Sequence, residues 1–152
     1  MSADVEKIGE DRRRQIGMRL LQAAYTYDAE GIRKILDRNP SMVDFADEKG
    51  RQPITVVLKR AHARDRGEIE GMELVKLLVE RGATVDSKVL LRAYINSTIR
   101  IYHFLERIYM DRNPLDKGIG DMIRTIAIAK GKKAGQPFNV GTGAPKRYVP
   151  GL

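Results

Sequence analysis

Apolar residues recur along this chain at intervals of three and four, in short blocks that stop at glycine, proline or asparagine. In residues 72–86, MELVKLLVERGATVD, one helical face carries Met72, Val75, Leu78 and Val79, with Leu74 and Leu77 beside it. Glu73, Lys76 and Glu80 fall on the other side. A helix this short does not hold itself together in water, so its apolar face is expected to lie on a neighbour. Gly82 is its expected stop, because a left-handed backbone costs glycine little.

The pattern returns elsewhere. Residues 31–44, GIRKILDRNPSMVD, align with 73–86 so that Ile32, Ile35, Leu36 and Val43 fall opposite Leu74, Leu77, Leu78 and Val85. Upstream of the two copies lie RLLQAAYTYD (19–28) and QPITVVLKRA (52–61), in which Leu21 and Ile54 stand 33 positions apart. A degraded third copy, VLLRAYI (89–95) and RIYHFLERI (100–108), puts Leu91 in the place of Leu21 and Ile54. The recurrence predicts helix pairs near 19–27/30–38, 53–62/71–81 and 89–96/99–109.

Two short helices, a turn and an extended finger at this period resemble the ankyrin repeat. The family pattern D-x-x-G-x-T-P-L-H is met by Asp47, Gly50, Pro53 and Ile54. Its second half, E-I-V-K-L-L-L-E-x-G-A-D-V-N, is met by Glu73, Val75, Lys76, Leu77, Leu78, Glu80, Gly82, Ala83 and Val85. The chain departs from the pattern in three ways. Gln22, Thr55 and Arg92 occupy the histidine position; repeat two carries an extra charged segment, AHARDRGEIE (61–70); and the junction from Val85 to Leu91 is too short for a third finger. The segment 61–70 is expected to be an exposed loop or helix extension whose removal leaves the fold intact, since insertions between helices cost little.

The resemblance implies an all-α fold, a short ankyrin-like helical solenoid of about two and a half repeats. Such arrays need capping ends. The expected organisation is an N-terminal cap helix in 1–17, repeats in 18–110, a C-terminal helix in 111–130 and an extended basic tail in 131–152. In proteins of this kind, finger tips and inner-helix faces usually meet the partner. The resemblance therefore points to Phe45, Glu48, Lys49 and Arg51 on the finger, and to Gln22, Tyr25, Tyr27, Thr55, Lys59 and Arg92 on or near the inner helices.

Composition adds bounds. Without cysteine there is neither a disulfide framework nor a thiolate metal site, and two histidines, His62 and His103, are few for a histidine metal site. Neither histidine lies beside a serine or in a glycine-rich turn, so no nucleophile–base pair can be assembled and no catalytic residue, metal or cofactor is expected. KGKKAG (130–135) lacks the spacing of a phosphate loop. With no apolar run long enough for a membrane span and no signal-peptide core at the start, a cytoplasmic protein is the expectation.

The net charge of +8 is uneven: residues 130–152 hold Lys130, Lys132, Lys133, Lys146 and Arg147 and no acid, which leaves about +3 on the body. Arg12, Arg13 and Arg14 follow Glu6, Glu10 and Asp11 and read as a solvated helix face. The tail has no apolar periodicity, but Phe138 and Tyr148 interrupt its cations. Those aromatics, with Lys146 and Arg147, could order in a groove on a protein assembly or engage phosphates and bases. The functional expectation is a non-enzymatic protein-interaction module, an adaptor or accessory subunit of a larger assembly. The alternative is a nucleic-acid-binding or ribonucleoprotein accessory protein that uses the tail.

Overall fold

The computed structural model describes residues 2–62 and 65–131, with side chains from residue 9 onward. The described residues form α-helices and no strand: α1 (Ser2–Tyr25), α2 (Ala29–Arg38), α3 (Pro53–Lys59), α4 (Glu68–Glu80), α5 (Ser87–Asn96), α6 (Ile99–Arg112) and α7 (Ile119–Ala129). A 3-10 helix, Pro40–Asp44, follows α2. All three expected helix pairs are present.

Local chemistry sets the ends. The Asp28 carboxylate accepts the Gly31 N–H at 2.9 Å to start α2, and that of Asp86 accepts the Val89 N–H at 2.9 Å to start α5. Pro53 occupies the first turn of α3, where its missing N–H has no cost. Gly82 stops α4 with φ +96°, as its position predicts, and the Ala83 N–H reaches back to the Leu78 carbonyl at 2.9 Å. Because Asp86 caps α5 directly after this turn, no finger separates α4 from α5.

The helices pack in a regular order. α1, α3, α5 and α7 form a row in which each contacts the next, and α2, α4 and α6 lie against α1, α3 and α5 respectively, with α4 also on α6. Between them lies one apolar core, in which Leu20, Ile54, Leu58, Leu78, Leu90 and Ile101 are fully buried. Polar ties cross between units: the Asp44 carboxylate accepts the Thr84 N–H at 3.0 Å and the Thr84 hydroxyl at 2.7 Å, and Arg81 pairs with Asp37 at 2.7 Å.

Two expectations need correction. The cap helix of 1–17 and the first inner helix are one continuous helix, α1, with no break at Gly17. Gly17 lies under the Phe45 ring, whose atoms come within 2.5 Å of where a Cβ would stand. The glycine admits a tertiary contact that offsets its weak helix propensity.

The segment 61–70 is in part the expected helix extension, since α4 begins at Glu68, but it is not a free insertion. Ala61 is fully buried and backs onto Gly71, where an added Cβ would stand 2.6 Å from that of Ala61. The Arg66 guanidinium donates to the Thr26 carbonyl at 3.1 Å and lies 5.1 Å over the Tyr27 ring. The segment therefore ties the start of α4 to the end of α1, and shortening it removes contacts of the fold.

Candidate functional site

A groove of about 580 Å³ runs along one side of the α1–α3–α5 row. Met18, Leu21 and Val56 give it apolar surface, and Gln22 and Tyr25 continue the α1 wall. α3 contributes Thr55 and Lys59, α5 contributes Lys88 and Arg92, and the finger before α3 contributes Lys49, Gly50 and Arg51. Gln22, Thr55 and Arg92, which the repeat alignment puts at one equivalent position, all line it. The spacings 18, 21/22, 25 and 88, 92 follow one face of a helix, so helical periodicity itself brings these side chains together.

The charge of the groove is one-sided. Among the described residues, Lys49, Arg51, Lys59, Arg60, Lys88 and Arg92 line the groove with a single carboxylate, Asp65. Arg60 and Asp65 form a two-pronged pair, Nη2–Oδ1 at 2.9 Å and Nε–Oδ2 at 3.0 Å, and this hydrogen bonding holds the Asp65 carboxyl below its ordinary range. Arg60 also donates to the Tyr25 carbonyl and lies 4.2 Å over its ring. Arg51 is paired with Asp47 at 2.7 Å. Among the described residues, Lys49, Lys59, Lys88 and Arg92 have no carboxylate in ion-pair reach, and Arg92 spends one N–H on Asn96 at 3.2 Å.

The finger is held by Asp47. Its Oδ1 accepts the N–H groups of Lys49 at 3.0 Å and Arg51 at 2.9 Å, and Gly50 completes the turn with φ +78°. Burial raises the carboxyl pKa, but the hydrogen bonds from Arg51 and Lys49 outweigh it, so the group lies below its ordinary range. The stability it adds is complete above the unfolded value of about 3.9 and is lost as pH falls below that. Asp47→Ala should lower the unfolding free energy by on the order of 1 kcal/mol and speed hydrogen exchange at the Lys49 and Arg51 amides. Unchanged protection at both amides would mean that Asp47 does not hold the finger.

The residues expected to meet a partner divide. Lys49, Arg51, Tyr25, Lys59 and Arg92 come together in the groove. Glu48 is exposed but bridges to Arg14 on α1 at 2.7 Å. One is corrected: Tyr27 is buried, with its hydroxyl donating to the Val57 carbonyl at 2.7 Å. Phe45 is half-buried and packs on α1 at Gly17. Phe138, Lys146, Arg147 and Tyr148 lie outside the described residues. Sequence reasoning missed Lys88 and Met18, and the repeat alignment held the signal, since both are one helical turn before the Gln22/Arg92 position.

No family model, curated protein or solved structure matches this chain. The site is therefore read from its own chemistry. No group of three or more His, Cys, Asp or Glu side chains suited to a metal occurs among the described residues, and none of their helices is long and apolar enough to cross a membrane. What the groove offers is anion recognition beside an apolar strip.

Proposed function

We propose that this chain is a non-enzymatic protein-interaction module, an ankyrin-like repeat array that docks on a larger protein assembly. The observation that carries the reading is the groove: the finger, α3 and α5 present cations without carboxylate partners beside the exposed Met18 and Tyr25 of α1. Ankyrin-like organisation is supported by the 33-position recurrence and by the equivalent residues Gln22, Thr55 and Arg92 lining one groove. The basic tail supplies a second contact, and its cations raise the encounter rate more than the affinity.

The test is capture of partners by the full chain, with and without nuclease, compared with Lys59→Glu/Arg92→Glu and with a chain ending at residue 130. A nuclease-resistant protein partner that the double variant loses is the expected result. Capture abolished by nuclease, with an affinity that falls steeply with salt, would instead make the chain a nucleic-acid accessory. Capture indifferent to the double variant would remove the groove from the function.

A further inference from the structure

From the charge and shape of the groove we infer the chemistry of its occupant: an extended acidic peptide segment of the partner, carrying an aliphatic side chain between its carboxylates. This rests on the interaction-module reading and specifies what that module recognises.

Three features support it. Lys49, Lys59, Lys88 and Arg92 come from the finger, α3 and α5, so the cations without carboxylate partners are spread across the row rather than clustered at one point. Neighbouring packed helices lie about 8–10 Å apart, and the step from α1 to α5 spans two such intervals. At about 3.3 Å per residue, roughly five or six extended residues cross it. A chain of that length can set carboxylates against several of these cations while side chains on its other face point away.

The apolar strip decides between peptide and phosphate. Met18 is 41% exposed and Tyr25 54% exposed, and with the half-buried Val56 they give a surface that only an apolar side chain covers to advantage. A sugar–phosphate backbone has nothing to place there. Base stacking on Tyr25 is limited to one face of the ring, because the Arg60 guanidinium lies 4.2 Å over the other. The chain's own tail is like-charged with the groove and is repelled by it.

The test selects random 12-residue peptides displayed on phage against the immobilised full chain, with Lys59→Glu/Arg92→Glu as counter-selection. Single-stranded dT12 is titrated in parallel. Enriched peptides should carry several Asp or Glu residues with an aliphatic residue among them. A synthetic peptide from the selection should bind the double variant about ten-fold or more weakly. Lys34→Glu on α2, outside the groove, should leave that affinity unchanged. Lys59→Gln/Arg92→Gln, checked by circular dichroism and thermal unfolding, should lose part of the affinity and guards against misfolding of the reversed variant.

Enrichment of neutral or basic peptides that still depend on the groove overturns the acidic inference and leaves the interaction-module reading standing. Binding of dT12, reduced by the same variants, with no peptide enriched, overturns both. A self-association of the wild type that the double variant abolishes would make a second copy the occupant and overturn the inference.

Discussion

Leu78→Ala should lower the free energy of unfolding by about 2–5 kcal/mol. Leu78 is fully buried in α4, whose neighbours are α3 and α6, so its side chain fills the middle of the stack rather than an edge. Backbone hydrogen bonds around it, including the Ala83 N–H to its carbonyl at 2.9 Å, hold α4 in place after truncation. The site can therefore collapse only partly, and a cavity remains. Domains of this size unfold with about 5–15 kcal/mol in total, so the loss is a large share of what there is. In thermal unfolding it should appear as a fall in Tm on the order of 5–20 °C. Leu115 is 95% exposed and provides the contrast: Leu115→Ala should stay within about 0.5 kcal/mol of wild type. A Leu78→Ala midpoint that coincides with that of Leu115→Ala would mean that α4 is not part of the core.

Leu78 was legible because helical periodicity reports which face is buried, and the repeat reported which helices recur. The helix pairs follow from those two signals alone. Contacts between residues far apart in sequence carry no such period. Gly17 suggests a weak point in α1 until the Phe45 ring is seen lying on it, and Ala61 looks like the first residue of a charged insertion until it is found back to back with Gly71 of α4. The groove was half legible for a similar reason. Gln22, Thr55 and Arg92 fall at one position of the sequence recurrence and were found, whereas the pairing of Arg60 with Asp65 joins residues that no period relates.

Tyr27 is the residue whose role the sequence most obscured, and its replacement should have the second large effect. It lies in the two-residue turn between α1 and the capping Asp28, with φ +57°, a left-handed conformation uncommon for a residue other than glycine. That conformation turns the ring inward, where it is 8% exposed, and its hydroxyl meets the Val57 carbonyl of α3 at 2.7 Å. Tyr27→Ala should therefore cost about 3–5 kcal/mol, since a large aromatic leaves the core. Tyr27→Phe keeps the ring and removes one of two hydrogen bonds to the Val57 carbonyl, which still accepts the Arg60 N–H at 3.1 Å, so it should cost about 0.5–1.5 kcal/mol.

The pH dependence separates the ring from the hydroxyl. Burial, with the nearby charge of Asp65, pushes the Tyr27 pKa up, and burial and Glu106 do the same to Tyr102. A raised folded pKa adds stability that is complete below the unfolded value of about 10 and is lost as the pH rises above it. The wild type should thus lose stability in alkali with a slope that Tyr27→Phe reduces but does not abolish, because Tyr102 still contributes. Denaturant unfolding across that range measures both slopes. Equal slopes would mean that the Tyr27 hydroxyl is not sequestered, and a Tyr27→Ala protein as stable as wild type would return the ring to the surface, where the repeat resemblance first placed it.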